Sequence, residues 1–285
     1  DVAPDIFFQD LDQLEEILRE SLNLSICKAP GYEADDVLGT LANEAADKGW
    51  SVRILSGDRD LFQLVDDQRD IAVLYMGGGP YAKSGNPKLI NEEGVREKLG
   101  VNPNKVIDLK ALTGDSSDNI PGVKGVGPKT AINLLKENTD LDGVYKSLQE
   151  LEIEGEKAKR GAIKGAVRLK LKADKDNAYL SRKLAEILIR IPINPKINHT
   201  LEGINESKLA ESLEKLELHS LLRQVSTFKA IFSKEGLSKK DNNTSLIEKK
   251  IINNKPRNNE LTALNETNEI PEIEPHIINN LEELN

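Results

Sequence analysis

The chain has 285 residues, of which 39 are Lys or Arg and 48 are Asp or Glu, so its formal net charge at pH 7 is −9. This length permits one large or two small domains with a sizeable hydrophobic core. No apolar run approaches the ~20 residues of a membrane-spanning helix, which excludes a protein with helical membrane spans. The single cysteine, Cys27, excludes a disulfide framework and a cysteine-rich zinc site. No signal-peptide pattern is visible, which predicts a cytoplasmic protein.

The charge is distributed unevenly along the chain. Residues 1–36 carry ten acidic side chains against two basic ones, whereas residues 157–183 carry ten basic against two acidic. Such asymmetry predicts a site for cations beside a site for polyanions. The chain begins with Asp1 and its only methionine is Met76, so we expect a fragment or a processed product.

Helices and strands alternate along the first 76 residues. Apolar spacing predicts amphipathic helices over 5–20 and 35–48, a short helix near Leu61, and strands over 23–28, 51–55 and 70–76. This rhythm is typical of an α/β fold with a mostly parallel sheet. Residues 77–88 are rich in glycine and proline and predict a hairpin or loop.

From about residue 92 the pattern is mostly helical, with breaks at Pro103, over 114–128 and at Gly155. An extended connector is predicted over 192–198, followed by helices over 206–216 and 219–232. The composition beyond residue 235 cannot bury enough apolar surface to become ordered. We therefore expect an α/β core over 1–100, a helical region over 101–234 and a disordered linker or tail over 235–285.

Three acidic clusters follow predicted structural breaks. They are GYEADD with Glu33, Asp35 and Asp36, SGDRD with Asp58 and Asp60, and GDSSDN with Asp115 and Asp118. Each cluster taken alone is typical of a helix N-cap or a turn. Asp58 and Asp60 follow a predicted strand, where open α/β sheets bind ligands, and one helical turn would align Asp115 with Asp118.

Seven carboxylates at one edge of a sheet would repel each other strongly unless protons or divalent cations neutralise them. Oxygen ligands without Cys or His select Mg²⁺ or Mn²⁺ over zinc. Two such ions, ~3.5–4 Å apart, hydrolyse phosphodiesters in many carboxylate-only sites. The three clusters together therefore predict a two-metal centre.

The segment PGVKGVGPKTA (residues 121–131) predicts an anion site. Its glycines permit a tight turn, and the helix that follows presents backbone N–H groups beside Lys124 and Lys129. Contacts of this kind position DNA without reading its sequence. The segment lacks the GK[ST] ending of a Walker A loop, and a plain helix–turn–helix corner remains the alternative. The basic stretch 157–183 is either a DNA-backbone contact or a solvated helix face.

The three longer segments GYEADDVLGTLA, VRILSGDRDLFQLV and ALTGDSSDNIPGVKGVGPKTAINLL resemble the 5′-nuclease domain of bacterial DNA polymerase I, within the flap endonuclease superfamily. The resemblance runs from about residue 5 to residue 232. It implies a Rossmann-like (PIN-like) core and a helix–three-turn–helix element that grips duplex DNA, with a monovalent cation such as K⁺ at the 122–127 turn. It further implies two-metal hydrolysis of DNA with 5′ ends, flaps or nicks by a monomer near the nucleoid, attached to a polymerase module in a full-length protein.

The resemblance assigns roles to individual residues of this chain. Glu33, Asp35 and Asp36 correspond to ligands of a first metal ion, and Asp58, Asp60, Asp115 and Asp118 to ligands of a second. Asp58, Asp60 and Asp115 would carry the catalysis. The DNA-gripping turn corresponds to Gly122, Lys124, Gly125, Val126, Gly127, Lys129 and Thr130.

The chain departs from the family at its beginning. Family members start with a strand that ends in an Asp ligand, followed by a second Asp and a basic helical arch, and nothing before Asp1 supplies these. We therefore expect an unpaired apolar sheet edge and poor unaided turnover. The leading hypothesis is a metal-dependent 5′→3′ exonuclease and flap endonuclease of replication and repair. The alternatives are a non-catalytic duplex-DNA-binding fragment of that family and a PIN-like ribonuclease, against which the long helix–turn–helix addition argues.

Overall fold

The computed structural model describes residues 5–77, 86–155, 161–193 and 203–231. The described residues up to 193 belong to one compact unit, and those from 203 onward belong to a second. The first unit combines a small sheet with a set of packed helices, as an α/β core with an added helical region predicts. No helix in the described ranges is long and apolar enough to cross a membrane.

The sheet has three strands in the described part of the chain, in the order β1 (Val52–Ser56), β2 (Ile71–Tyr75) and β3 (Lys88–Ile90). β1 and β2 are parallel, with Val52 opposite Ile71, and a 3₁₀-helix at Asp60–Leu64 lies between them in the chain. β3 is antiparallel to β2. We expected a mostly parallel sheet, and the described sheet is mixed because β3 pairs antiparallel with β2. The sequence did not predict β3, since this short strand begins at the last residue of the glycine- and proline-rich segment 77–88.

The strand predicted over 23–28 does not form. Asn23 has φ of 53°, outside the extended region, and the N–H of Leu24 bonds back to the carbonyl of Leu18 at 2.9 Å. The chain here closes the preceding helix and pairs with no strand among the described residues. β1 consequently forms one edge of the described sheet, where the Leu55 side chain is 61% exposed.

Two helices precede the sheet. Helix α1 (Asp5–Glu16) continues into a π-helical turn at Ile17–Ser21, in agreement with the helix predicted over 5–20. Its apolar side chains are largely exposed, among them Phe7. Helix α2 (Ala34–Asp47) buries Val37 and packs beside β1, as its apolar spacing predicts.

The described part of the first unit contains six further helices: α3 (Glu92–Leu99), α4 (Val106–Thr113), α5 (Pro128–Asn138), α6 (Leu141–Glu154), α7 (Gly165–Ala173) and α8 (Lys175–Ala185), with a 3₁₀-turn at Pro103–Lys105. Side-chain caps begin two of them. Asn91 accepts from the N–H of Gly94 at α3, and Asp140 accepts from the N–H of Gly143 at α6. Helix α4 is central, because it packs against both α5 and α8.

One continuous apolar core joins the sheet to these helices. Phe62, Val73 and Ile90 from the sheet side are fully buried, as are Leu112 of α4 and Leu134 of α5, and all belong to the same cluster. The core therefore fixes the end of β1 relative to α4 and to the turn that follows it. This placement decides which polar side chains meet at the surface.

The second unit contains α9 (Glu206–Lys215), α10 (His219–Leu222) and α11 (Val225–Ile231). Leu209, Leu213 and Val225 are buried there. The helix predicted over 219–232 is therefore two short helices. Most of the predicted connector at 192–198, the predicted tail at 235–285 and the loop residues 78–85 lie outside the described residues.

Candidate active site

The acidic cluster of Asp58 and Asp60 directly follows β1. The backbone N–H of Asp58 donates to Oγ of Ser56, the last residue of the strand, at 3.0 Å. The backbone N–H of Asp60 then donates to Oδ1 of Asp58 at 2.8 Å. One oxygen of Asp58 thus shapes the turn, as the ordinary turn interpretation predicts. Its other oxygen has no hydrogen-bond partner among the described residues.

The first acidic cluster lies at the start of α2. Asp36 accepts hydrogen bonds from the backbone N–H of Glu33 at 3.2 Å and from the backbone N–H of Leu188 at 2.8 Å. It therefore caps the helix and fastens the segment after α8 to it. Asp35, its neighbour, has no hydrogen-bond or ion-pair partner within the described parts of the chain.

The charges of the first two clusters act on each other. Partial burial, followed by the negative charges of Asp58, Asp60, Glu33 and Asp36, raises the pKa of Asp35 to about 6. Such a shift requires the carboxylates to lie near one another, because exposed charges beyond about 10 Å are screened. The structure therefore brings both clusters to the same place, at the end of β1 and the start of α2.

The third cluster lies in a tight turn after α4. The backbones of Asp115 and Ile120 exchange two hydrogen bonds, at 2.9 and 2.8 Å, and close the turn. Oδ1 of Asp115 accepts from the backbone N–H of Ser117 at 2.9 Å and from its hydroxyl. The expectation that a helical turn aligns Asp115 with Asp118 is wrong, because Gly114 ends the helix with φ of 68°.

Lys110 of α4 joins the second and third clusters. Its ammonium is in close contact with Oδ2 of Asp60, and it lies 2.9 Å from Oδ2 of Asp115 and 3.4 Å from Oδ2 of Asp118. Hydrogen bonds from the Ser117 hydroxyl and from Lys110 lower the pKa of Asp115 to about 2. Burial raises the pKa of Asp60, although the hydrogen bond from Lys110 opposes that shift.

The seven carboxylates thus fall into two adjoining groups. The open group consists of Glu33, Asp35, Asp36 and Asp58, and the lysine group consists of Asp60, Asp115 and Asp118 around Lys110. Asp60 connects the two groups, because its charge raises the pKa of Asp35 and its side chain accepts a hydrogen bond from Lys110. In the described residues, no three Asp, Glu, His or Cys side chains are arranged to hold one metal ion as they stand.

The chemistry of the donors nevertheless fits a hard divalent cation. They are all carboxylate oxygens, which Mg²⁺ and Mn²⁺ prefer. Asp35 is a partly buried carboxylate with no counter-charge beside it, and a bound cation would remove the repulsion that raises its pKa. In the lysine group, an ammonium already lies among the oxygens that an ion would use.

Sequence reasoning missed Lys110. Its signal was a lone cation in the short apolar run IDLKALTG, five residues before Asp115. A lysine between the buried residues Leu109 and Ala111 needs a counter-charge near the helix, because burying an unpaired ammonium is costly. That argument would have placed carboxylates around it.

The predicted anion-binding turn is compact and partly exposed. Gly122 has φ of 62°, and a Cβ on it would lie 2.2 Å from the backbone nitrogen of Gly114, so only glycine fits. Gly122 and Val126 are buried, whereas Lys124, Gly125 and Gly127 are exposed. Lys129 is also exposed, and Thr130 half-buried, in the first turn of α5. The outer face of the turn therefore presents backbone groups and two lysines.

Helices α7 and α8 hold the turn from behind. The N–H of Gly122 donates to Oγ of Ser181 at 2.8 Å, and the N–H of Lys124 donates to Oδ2 of Asp174 at 2.9 Å. The ammonium of Lys170 donates to the carbonyl of Gly125 at 2.8 Å. A monovalent cation was expected at this turn. The carbonyl of Gly125, one of its oxygens, instead accepts from the ammonium of Lys170.

Several side chains of the basic stretch 157–183 have internal partners. Arg168 donates to the carbonyls of Leu151 and Gly155 at the end of α6. Lys172 pairs with Glu152 at 2.7 Å. Arg182 pairs with Asp142 at 2.8 Å and with the buried Asp108 at 3.3 Å, while Lys164 and Lys183 are exposed. Lys157, Lys159 and Arg160 lie outside the described residues.

Two descriptions of one family match this architecture in consecutive pieces. Residues 1–100 match the N-terminal resolvase-like domain of 5′-3′ exonucleases, and residues 101–207 match their C-terminal SAM fold. The chain belongs to the 5′-3′ exonuclease family. A member of this family is a nuclease, which agrees with the acidic site and with the resemblance drawn from its motifs.

Curated relatives include DNA polymerase I of Synechocystis sp., which is 42% identical over 232 residues. That match covers 81% of this chain and 22% of the relative. The thermostable DNA polymerase I of Thermus thermophilus is 38% identical and is covered to 24%, against 80% of this chain. The chain thus spans less than a quarter of the length of these relatives.

Solved structures of similar fold include the T5 D15 protein co-crystallised with metal ions and the catalytic core of Rad2 in complex with DNA substrate. The first is 16% identical with a TM-score of 0.49, and the match covers 81% of this chain and 74% of that one. The second is 19% identical with a TM-score of 0.45, and the match covers 75% and 65%. No residue role in this chain depends on these likenesses.

Proposed function

We propose that the chain is a divalent-metal-dependent 5′→3′ exonuclease and flap endonuclease module that hydrolyses DNA phosphodiesters. The observation that carries the proposal is the convergence of carboxylates from three distant segments at the end of β1, followed in the chain by a glycine turn that exposes Lys124 and Lys129. Neither feature alone identifies a nuclease, since each cluster also has a local structural role. Their combination within a 5′-3′ exonuclease family member supports this chemistry.

The residues divide the work between them. Glu33, Asp35, Asp36 and Asp58 would hold one Mg²⁺ or Mn²⁺ ion, and Asp60, Asp115 and Asp118 would hold the other. The family resemblance assigns Asp58 to the second ion, and we propose the first because its charge acts on Asp35. Such ions supply an activated water and stabilise the charge on the phosphate oxygens. Asp58, Asp60 and Asp115 are the catalytic residues of the proposal. Asp58 and Asp60 lie where the open group and the lysine group adjoin, and Asp115 shares the ammonium of Lys110 with Asp60.

The turn would bind the DNA duplex at a point distant from the phosphate that is cleaved. Lys124 and Lys129, with the exposed backbone of Gly125 and Gly127, offer positive charge and N–H donors to the sugar–phosphate backbone. Gly122 and Val126 serve the same surface from the buried side by keeping the turn tight. The substrates of the proposal are duplex DNAs with a 5′ end, flap or nick. Such ends would lie ahead of a polymerase that extends a strand, which is the activity in the relatives' names.

The non-catalytic alternative has one specific observation in its favour. No three acidic side chains are arranged to hold an ion as the described residues stand, because Lys110 lies among those of the lysine group. A module that kept the turn and lost the metal centre would bind duplex DNA in a salt-dependent way and leave it intact.

The test is Mg²⁺-dependent cleavage of a 5′-labelled flap duplex. The protein is assayed as the 285-residue chain and together with whatever the gene encodes before Asp1. We expect the double variant Asp58→Asn/Asp115→Asn to lose cleavage while retaining duplex binding. Asp12→Asn is the matched control, since Asp12 is exposed on α1 with no hydrogen-bond or ion-pair partner among the described residues. Full cleavage by the double variant would contradict the site, and binding without cleavage by both wild-type forms would favour the alternative.

A further inference from the structure

Lys110 occupies an unusual position for a lysine. It lies in the short, mostly buried helix α4, and its side chain is only 13% exposed. Its ammonium contacts carboxylates from two separate parts of the chain, Asp60 after β1 and the pair Asp115 and Asp118 after α4. The contact therefore bridges the two segments that match different domains of the family.

The lysine and the three carboxylates stabilise one another. A desolvated ammonium without a partner would destabilise α4, and three converging carboxylates without a cation would repel each other. The open group is an example of carboxylates without a cation, because Asp35 lies beside four other carboxylates and has no basic partner in the described ranges. In the metal-free protein, the ammonium of Lys110 thus offsets the repulsion between Asp60, Asp115 and Asp118.

The oxygens that Lys110 uses are those that an ion would need. Oδ1 of Asp115 is taken by the N–H and the hydroxyl of Ser117, so Oδ2 is the oxygen that faces the other carboxylates. That Oδ2 lies 2.9 Å from the ammonium of Lys110. An incoming ion must therefore displace the ammonium or share the oxygen with it. The flexible four-carbon stem of lysine allows the ammonium to withdraw.

We propose that Lys110 is a built-in counter-ion that competes with a divalent cation for Asp60, Asp115 and Asp118. It holds these carboxylates together when no ion is bound, and it moves aside when one enters. Lys110 is thus a positioning residue that sets the affinity of the lysine group for metal. The competition rests on the proposed function, whereas the holding role in the metal-free protein does not.

The first experiment measures binding of Mn²⁺ alone, with free Mn²⁺ counted by electron paramagnetic resonance. We expect Lys110→Met to bind Mn²⁺ about tenfold more tightly than the wild type at the site that Asp115→Asn weakens, because a competing charge is removed. Lys105→Met is the matched control, since Lys105 lies on the preceding 3₁₀-turn and contacts none of the three carboxylates. Equal or weaker binding by Lys110→Met would overturn the competition.

The second experiment compares thermal unfolding in EDTA and in Mn²⁺. We expect Lys110→Met to have a lower melting temperature than Lys105→Met in EDTA, and to show a larger rise than the wild type when Mn²⁺ is added. An unchanged melting temperature in EDTA would overturn the holding role. If Lys110→Met does not fold, Lys110→Met/Asp118→Asn removes one charge of each sign and is expected to fold and to bind Mn²⁺ with at least wild-type affinity. Weaker binding by this double variant than by Asp118→Asn would overturn the competition.

The two proposals fail in different ways. If the wild type binds Mn²⁺ and Lys110→Met binds it no better, the counter-ion proposal fails and the nuclease proposal stands. If neither protein binds Mn²⁺, the metal-dependent function and the competition fail together. The melting temperatures in EDTA then decide the holding role by themselves.

Discussion

The open group and the lysine group contain the same kind of residue and adjoin at Asp60, yet their carboxylates differ in the direction of their pKa shifts. The pKa of Asp35 is raised to about 6 by burial and by its acidic neighbours. The pKa of Asp115 is lowered to about 2 by hydrogen bonds from Ser117 and Lys110. Burial and neighbouring negative charge act on Asp35, whereas a hydroxyl and an ammonium donate to Asp115. An acidic cluster is therefore not uniform, and each carboxylate must be judged by the donors that face it.

The largest expected effect is on catalysis, and it tests whether both groups serve one reaction. We expect Asp35→Asn and Asp115→Asn each to reduce flap cleavage at saturating Mg²⁺ by roughly 100-fold or more, because each removes a charge that stabilises bound ions. The measurement is single-turnover cleavage of a 5′-labelled flap duplex, with Asp12→Asn as control. Retention of full activity by either single variant would restrict the active site to the other group.

The next effect extends the comparison to a fully buried carboxylate. Asp108 of α4 is 4% exposed, and Arg182 of α8 lies 3.3 Å from it. Burial raises the pKa of Asp108, and the charge of Arg182 opposes that shift. Since removing one partner leaves a buried charge uncompensated, we expect Arg182→Ala to lower the free energy of unfolding by about 2–3 kcal/mol. Urea denaturation measures it, and the exposed neighbour variant Lys183→Ala should change little.

A smaller effect concerns the pH dependence of the open group. The pKa of Asp35 in the folded protein, about 6, exceeds the ordinary value of 3.8 for an aspartate, so the folded state holds a proton more tightly than the unfolded state. The ionised Asp35 therefore destabilises the folded state. This destabilisation is absent below about pH 4, grows between about pH 4 and pH 6, and is complete above about pH 6. We expect Asp35→Asn to raise the free energy of unfolding in EDTA at pH 7.5 by roughly 1–2 kcal/mol, after allowance for partial exposure.

The control for this prediction is the same comparison at pH 4, where the two proteins should unfold at nearly the same urea concentration. An Asp35→Asn variant that is less stable than the wild type in EDTA at pH 7.5 would show that the open group carries no uncompensated repulsion.

The smallest effect contrasts the acidic site with the turn. The turn is already satisfied from behind by Ser181, Asp174 and Lys170, so its outer lysines act on a ligand and contribute little to the fold. We expect Lys129→Ala to weaken duplex binding severalfold and to reduce the salt slope of binding by about 1, without a change in stability. Fluorescence anisotropy over a range of KCl concentrations measures both. Lys136→Ala, at the other end of α5, should leave the slope unchanged.

Much of the fold was predictable because it depends on local pattern. The periodicity of residues 35–48 predicted α2, and the apolar runs near 51–55 and 70–76 predicted β1 and β2 within a residue or two at each end. The strand predicted over 23–28 failed because a short apolar run forms a strand only beside a partner. Here Leu24 instead bonds back to the helix before it.

The site was predictable in its residue types and less so in its contacts. The three acidic clusters could be picked out, since each stands beside glycine after a predicted break. Their division into two groups could not, because it depends on where Lys110 points from α4. The local roles of Asp36, Asp58 and Asp115 as hydrogen-bond acceptors were also foreseeable as an alternative, and the structure shows all three accepting from backbone N–H groups.

The most direct test of the account is a crystal structure of this chain grown with Mn²⁺, with the ions located by anomalous scattering. The account predicts a peak in the open group, beside Asp35 and Asp58 at the end of β1, and the ammonium of Lys110 withdrawn from Asp60 and Asp115 when a second peak is present in the lysine group. A folded protein whose only Mn²⁺ peaks lie elsewhere, with these carboxylates unliganded, would contradict it.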